Sequence, residues 1–547
     1  MEKIILKYAL QNAIKYDGKA NPGSVIGKVL SEIQITDKQS LIKKVNEIIS
    51  RVNKLTKDQQ INKLYEIDPS LLEKKKEEEH ELHDLPNIKD KVILRLAPYP
   101  SGPLHIGNAR PYILNDEYAK KYKGKLLLII DDTIGSEEKD ISVDAYKLIP
   151  EGLQWLDINF DKNIIYKSDR LEIYYKYALD IIKKDLAYIC QCSPETLREN
   201  RVKGIACNCR SHSIEDNLEL WQKMFKAKEG KYVLRIKTDM SHPNPAFRDR
   251  VLFRISNREH PKTHKKYRVW PLLEFSWAID DHLLNVTHVI RGKELMMESE
   301  MEKYIWDIFG WEHPNLIHTG LLQLEGIKLS KSKSKKEVTS GKYFGWDDPR
   351  TWSLQSLKRR GILPEAIRKF CLSFGLNQNE ITVPIENLYH ENKKLIEKSS
   401  NRYFFIENPK KITIKNAPKM IAKVPIHPDF KKRGSRIFKT KNQFYIMDKL
   451  EKNKMYRFMH LFNFKNNEFI SKSMDKELNA KLIHWLPVSK DLIKTEIIMP
   501  NGSIAKGLSE KDTKKIKVNN IIQFERLGFC RLDKKEKNKL IFWYTHN

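Results

Sequence analysis

An α/β core built on a parallel sheet, preceded by a small helical domain and followed by an all-β tail, is the fold class this 547-residue sequence predicts. Three observations carry it. The apolar run Val92-Ile93-Leu94 passes through a Pro/Gly turn into a helical pattern from Ala109 to Tyr122, and a second apolar run, Leu126 to Ile130, follows. Two apolar strands joined by one helix make a right-handed crossover unit. Residues 1–70 place apolar side chains at helical spacing (Ile4, Ile5, Tyr8, Ala9; Leu41, Val45, Ile48, Ile49, Val52). After about Asn401 the pattern turns into short strands separated by turn signals such as Asn501-Gly502.

Taken in order, the helical segment runs into Lys74-Lys75-Lys76-Glu77-Glu78-Glu79 and a polar stretch to Asn87, which puts a domain boundary near residue 87. The first half of the α/β core spans 88–187, with helical patterns at 142–156 and 169–186. At Tyr188 the texture changes. Cysteines 190, 192, 207 and 209 come as two C-x-C pairs, then an alternating strand from Tyr232 to Lys237, which sets 188–269 apart as a segment of its own. The sheet is expected to resume at Trp270 to Ile279, followed by a helix from Glu294 to Phe309 and a strand near Ile317 to Leu324. That second half, 270–345, ends in the cationic loop around Lys328; a helical segment, 346–400, leads to the tail, 401–547. Tail strands are expected at 411–414, 443–447, 481–485, 495–499, 520–524 and 540–544.

Composition excludes several classes. No run of 18 apolar residues exists, so no membrane span is expected. Charges interrupt the start too early for a signal peptide, and six cysteines without one fit a reducing, cytoplasmic setting rather than a disulfide framework. The net charge of +29 is concentrated: residues 401–547 hold 33 basic and 14 acidic side chains, against 15 and 14 in residues 1–87. A basic tail of this kind fits a polyanion, most simply nucleic acid.

The chemistry-bearing residues lie in two stretches. Arg95-Leu96-Ala97-Pro98-Tyr99-Pro100-Ser101-Gly102-Pro103-Leu104-His105-Ile106-Gly107-Asn108 ends a strand and starts a helix, where free N–H groups and the positive end of the helix dipole favour phosphate. His105 and Asn108 stand at that helix start. Lys328-Leu329-Ser330-Lys331-Ser332 is a flexible, cationic loop able to close on the same anion. Together they suggest a triphosphate site. The second strand delivers Asp131-Asp132-Thr133 to the same sheet edge.

The two stretches resemble the HIGH and KMSKS signatures of class I aminoacyl-tRNA synthetases. The strings Arg95 to Arg110, Asp280-Asp281-His282-Leu283, Val289-Ile290-Arg291-Gly292-Lys293 and Trp346-Asp347-Asp348-Pro349-Arg350-Thr351 resemble the archaeal-type glutamyl-tRNA synthetases, relatives of the glutaminyl enzymes. The likeness extends to Tyr8 to Gly27, Ile483-His484-Trp485 and Gln523-Phe524-Glu525-Arg526. It implies a Rossmann-like catalytic domain carrying an inserted acceptor-end-binding domain, and a β-barrel anticodon-binding tail. It also implies glutamate activation with MgATP, then transfer to the terminal adenosine of tRNA(Glu), with tRNA(Gln) left open as a second acceptor.

On this resemblance His105, Asn108 and Lys331 are the catalytic candidates. Pro98, Gly107, Lys328, Ser330 and Ser332 belong to the ATP site, and Arg95, Asp131 and Arg291 to the amino-acid site, with Asp132 a weaker choice than Asp131. Carboxylate attack on the α-phosphorus of ATP brings two anions together, so the protein's task is orientation and positive charge. A guanidinium matches a carboxylate bidentately and an amide poorly, so Arg291 favours glutamate over glutamine. Three positions depart from the family's wording: Leu329 for a methionine, Ile129-Ile130 before the Asp-Asp-Thr, and Leu273 where a tyrosine is common. The four cysteines fit a tetrathiolate Zn²⁺ site or four metal-free loop thiols. Cys371 and Cys530 are isolated and expected to be buried, and the tail aromatics Tyr445, Phe458, Phe464, Trp485 and Phe524 are expected mainly in barrel cores. The rival readings are a glutaminyl ligase and a non-catalytic tRNA-binding paralogue.

Overall fold

The computed structural model describes residues 1–15, 18–32, 37–71, 82–136, 140–327, 329, 331–474 and 477–547. It divides into two units, Met1–Glu81 and Leu82–Asn547, so the division falls a few residues before the one expected at 87.

The first unit is helical, as its periodicity requires. Helices Glu2–Lys15, Pro22–Glu32, Lys38–Val52 and Lys57–Ile67 bury one apolar stripe each, with Ile5, Ala9, Val25, Val29, Val45 and Leu64 at the centre. The last helix opens on a capping box: the Thr56 side chain accepts from the Gln59 N–H while the Gln59 side chain accepts from the Thr56 N–H. The side-chain nitrogen of buried Gln60 donates to the Val52 carbonyl at 2.9 Å.

In the second unit, Ile93–Leu96 pairs in parallel with Lys125–Ile130, which pairs in parallel with Ile165–Tyr166. His288–Gly292 and Asn315–Thr319 form a second parallel pair. Thr287 joins the two, its N–H donating to the Ile93 carbonyl at 2.9 Å and its hydroxyl accepting from the Ile93 N–H at 2.9 Å. The crossover helix Ile106–Lys121 packs on this sheet; Ile113, Leu114 and Tyr118 are fully buried against Leu94, Leu96, Leu128 and Ile130. Gly124 turns the chain back into the sheet at a point where a Cβ would lie 2.3 Å from the Val92 carbonyl oxygen.

The expected insertion is an antiparallel four-stranded sheet in the order Ala187–Cys190, Val233–Ile236, Val251–Ile255, Val269–Pro271. Here one expectation is corrected. Trp270 to Ile279 does not return to the core sheet: Val269–Pro271 is the last strand of the inserted sheet, and Leu273–Leu283 is a helix. Phe275, Trp277, Ala278 and Ile279 are all buried, and so are the polar Glu274 and Ser276 between them, so the run shows no period to separate strand from helix. The cationic loop is also modified, since a helix, Lys331–Thr339, begins inside it.

The tail holds the six expected strands within one or two residues. Its largest sheet has seven strands, and the first and last of them, Arg402–Tyr403 and Phe405–Glu407, are consecutive pieces of one extended run. Phe458, Phe464, Trp485 and Phe524 are buried in tail cores and Tyr445 is half-buried; Cys371 and Cys530 are buried.

Candidate active site

Strand Ile93–Leu96 ends in the Pro98–Pro103 turn, and His105 caps the helix that follows. The Asn108 N–H donates to the His105 carbonyl at 2.8 Å and its side-chain oxygen accepts from the His105 N–H, so the two candidates are held as one turn. That turn is anchored from below: the Ile106 N–H donates to the Trp352 carbonyl and the Leu354 N–H to the Leu104 carbonyl. The Pro98 carbonyl accepts from the Asp131 N–H, which ties the turn to the second strand.

Two cavities meet at this tip. One, of about 530 Å³, is lined by His105, Gly107 and Asn108 on one wall and by Leu321–Leu324, Ile327 and Leu329 on the other. The second, of about 120 Å³, is lined by Arg95, Asn108, Tyr112, Asn115, Trp277 and Arg291. Asn108 faces both. The larger opens at a helix N-terminus, where N–H groups favour phosphate, and its far wall is apolar apart from Gln323; the smaller carries Arg95, Arg291 and Glu294 and has the size of an amino-acid side chain.

Gly107 links the two sequence signatures. A Cβ there would meet the Leu329 Cδ1 at 2.9 Å, so Leu329 of the cationic stretch lies directly over the helix tip. Lys328 and Ser330 fall outside the described residues, as do the side chains of Lys331 and Ser332; the backbone of Lys331 starts the helix that leaves the site.

In the smaller cavity the structure adds partners that sequence reading missed. Trp277 lies between the two arginines, with each guanidinium carbon 5.1 Å from its ring. Arg95 donates through Nε and Nη2 to the Asp281 carboxylate, the latter at 2.9 Å. Arg291 donates through Nη1 and Nη2 to Glu302 at 2.9 and 2.8 Å, and through Nη2 to Ser299. Asp131 accepts from the fully buried ammonium of Lys167 at 3.3 Å and from Thr133 at 3.1 Å. Each of the three residues assigned to the amino acid therefore already faces a counter-charge from its own chain.

Burial sets the electrostatics. It raises the Glu302 carboxyl above its usual range, against the pull of Arg291, and lowers the Lys167 ammonium, against the pull of Asp131. Asp132 is engaged in the fold, accepting from the Ser168 N–H and hydroxyl and from Tyr146. Leu273 opens the helix that carries Trp277 and Asp281. The signal for Asp281 was visible in the Asp280-Asp281 pair; Trp277 was hidden in an apolar run, and Glu302 on a helix face looked like a solvated acid.

Away from this site, the Cys190, Cys192, Cys207 and Cys209 sulfurs all lie within 4.8 Å of one another. Four thiolates about 2.3 Å from a tetrahedral ion would stand roughly 3.8 Å apart, so the donor set fits such an ion. Cys190 and Cys207 are at 3.7 Å, and Arg235 approaches both sulfurs.

His105, Gly107 and Asn108 at the helix tip thus face Leu329 across one cavity, beside a second cavity lined by Arg95 and Arg291. Residues 91–398 match the family described as tRNA synthetases class I (E and Q), catalytic domain; 400–483 and 482–533 match its two anticodon-binding domains. Glutamate–tRNA ligases of Methanocaldococcus jannaschii and Pyrococcus abyssi are 44% and 45% identical to the chain, with both partners covered completely. A crystal structure of a glutamate tRNA ligase from Elizabethkingia meningosepticum aligns with a TM-score of 0.42 at 21% identity, covering 57% of this chain and 71% of that one. The chain belongs to the class I glutamyl/glutaminyl tRNA synthetase family.

Proposed function

We propose the following reaction and division of labour for this glutamate–tRNA ligase, which uses MgATP, L-glutamate and tRNA(Glu). The glutamate α-carboxylate attacks the α-phosphorus of ATP in line, and pyrophosphate leaves. The terminal adenosine hydroxyl of the tRNA then attacks the acyl carbon, and AMP leaves. The observation that carries the reading is the convergence of His105, Asn108 and Leu329 on one cavity that adjoins the arginine-lined one.

In the first step charge accumulates on the non-bridging oxygens of the α-phosphate. His105, Asn108 and the N–H groups of the helix tip are placed to donate there, with Lys331 supplying charge from the opposite wall. Gly107 keeps the wall flat enough for the nucleotide, and the Pro98 turn, Lys328, Ser330 and Ser332 complete the ATP site. One such donor is worth on the order of 3–4 kcal/mol in the transition state. Arg95 and Arg291 take the carboxylate end of glutamate over the Trp277 ring, and Asp131 takes the ammonium. Arg291 supports glutamate over glutamine by its charge.

The remaining roles follow the domain order: 1–87 a helical domain, 188–269 the acceptor-end grip, 346–400 a helical connector and 401–547 a β-barrel anticodon-binding region. Closure of the seven-stranded sheet is supported by both of its edges ending in residues 402–407. Cys190, Cys192, Cys207 and Cys209 hold Zn²⁺, a structural staple for an insertion too small for a large core of its own. No described helix is long and apolar enough to cross a membrane, which accords with a cytoplasmic enzyme.

Charging of purified tRNA(Glu) and tRNA(Gln) with labelled glutamate or glutamine tests this reading. Glutamyl-tRNA(Glu) should form and glutaminyl-tRNA should not; charging with glutamine alone would replace it by the glutaminyl alternative.

A further inference from the structure

Arg291, on strand His288–Gly292, stands in register with His318 on the parallel strand Asn315–Thr319. Ser299, in the first turn of helix Met296–Phe309, is hydrogen-bonded to both. Its hydroxyl accepts from Arg291 Nη2 at 2.5 Å, lies 2.8 Å from His318 Nε2 and donates to the Leu295 carbonyl at 3.0 Å. A serine hydroxyl has one hydrogen and two lone pairs. The carbonyl takes the hydrogen and Arg291 one lone pair, so the other lone pair receives an N–H from His318, which assigns the ring as its Nε2–H tautomer. Ser299 is fully buried and has every bond it can make. Burial, with Arg291 and Lys303 adding, holds the His318 imidazole below its usual pKa against the pull of Glu300. The ring that meets Ser299 is therefore neutral, and a neutral amide is its closest substitute.

On Arg291 the two terminal nitrogens are committed to Glu302 and Ser299, whereas the Nε–H has no acceptor among the described residues. Arg291 is buried and lines the small cavity with Arg95 and Trp277. A buried donor without an acceptor is rare and costly, and a carboxylate entering that cavity would supply one.

We propose that Ser299 and His318 are positioning residues of the amino-acid site, holding the Arg291 guanidinium in the plane that turns its Nε edge to the substrate carboxylate. The proposal rests on the ligase reading above, in which Arg291 meets glutamate. Two bonds to the Glu302 carboxylate fix a line through the guanidinium; the third, to Ser299, fixes its plane. His318 acts one bond further out. Without its N–H the Ser299 oxygen keeps a free lone pair, and the hydroxyl can turn away from Arg291. Orientation of this kind matters most for a guanidinium, whose planar donors match a carboxylate in few geometries.

The test measures charging of tRNA(Glu) as glutamate and ATP are varied in turn, for wild type, His318→Gln, His318→Asn, Ser299→Ala and the Ser299→Ala/His318→Asn pair. A glutamine side chain places an amide N–H near the position of Nε2, and an asparagine stops short, near that of Nδ1. His318→Asn should raise the glutamate KM about three- to tenfold, the range of one hydrogen bond, with kcat and the ATP KM within about twofold. His318→Gln should recover most of that loss. Ser299→Ala should raise the glutamate KM at least about tenfold, because the bond removed is to a charged group. Adding His318→Asn to Ser299→Ala should change nothing further, since His318 acts through the hydroxyl. An unchanged glutamate KM in His318→Asn or in Ser299→Ala overturns the proposal. So do equal losses in the Gln and Asn variants, additive effects in the pair, or a parallel rise in the ATP KM. Wild type that charges no tRNA(Glu) with glutamate would instead refute the underlying ligase reading.

Discussion

Arg291 donates both of its terminal nitrogens to the carboxylate of Glu302, in a cavity lined by Trp277. The residue proposed to favour glutamate thus rests against an internal carboxylate of the same chemistry as the proposed substrate's. On the proposed reading, glutamate would share Arg291 with Glu302 instead of meeting a bare cation. Glu302→Gln should therefore expose the charge. We predict a several-fold lower KM for glutamate, a higher preference for glutamate over glutamine, and a lower melting temperature without ligand. Uncompensated buried charge costs about 3–5 kcal/mol, so the melting shift produced by glutamate should grow. A raised KM with intact folding would show that Glu302 aims Arg291 and does not compete for it.

Lys167 stands in the same relation to Asp131. Its ammonium is fully buried, 3.3 Å from the carboxylate and 4.9 Å from the Trp277 ring. Asp131→Asn should remove the carboxylate nearest that ammonium while leaving its bond to the Ser276 hydroxyl at 2.8 Å. It should lower stability in denaturant melts by less than the roughly 3–5 kcal/mol of a fully unpaired buried charge and raise the glutamate KM more than that of ATP. Equal changes in both would remove Asp131 from the amino-acid site.

Gly107→Ala places a methyl group against Leu329, 2.9 Å from its Cδ1. The helix tip is anchored by the Trp352 and Leu104 hydrogen bonds, so the Leu329 side chain, whose outer methyl is the nearest atom, must shift. Activation of glutamate should fall at least about tenfold, which is little more than 1.4 kcal/mol of misplacement, with tRNA affinity unchanged.

The tail carries a pH signature. His484 donates from Nε2 to the Phe405 carbonyl at 2.7 Å and accepts on Nδ1 from Arg526 at 3.1 Å, an arrangement open only to the neutral ring. Burial, with Arg526 adding, lowers its pKa to about 4. A depressed pKa means that the unfolded chain takes up the proton first, so this stability is complete above pH 6.5 and is lost as pH falls toward 4. Thermal melts between pH 7.5 and 5 should show a shallower decline for His484→Gln than for wild type. Parallel slopes would contradict the neutral-ring assignment.

Chelation addresses the four cysteines. A strong chelator, or Cys207→Ser, should release about one equivalent of zinc and destabilise the insertion, as seen in increased proteolysis within residues 188–269. Protein that contains no metal and melts identically with chelator present would leave four ordinary thiols.

Much of this was legible in the sequence because period and turn chemistry were strong where they mattered. The strand, turn and helix from Ile93 to Lys121 fell where the Pro/Gly punctuation placed them. The tail strands alternated cleanly because one face of each packs on a core. What escaped reading was of two kinds. The helix Leu273–Leu283 is buried on nearly all sides, its polar residues Glu274, Ser276, Asp280 and Asp281 included, so no exposed polar face betrayed its period. The partners of Arg95, Asp131 and Arg291 come from 186, 36 and 11 residues away, and nothing local in the sequence announces such pairings.

The proposed chemistry requires one nucleotide between the helix tip and the cationic segment. Glutamate-dependent exchange of pyrophosphate into ATP, measured with tRNA(Glu) present for wild type and Lys331→Ala, tests it most directly. The predicted result is robust exchange by wild type and a loss of about two to three orders of magnitude in the variant, corresponding to roughly 3–4 kcal/mol, at unchanged tRNA affinity. Equal exchange rates in the two proteins would contradict it.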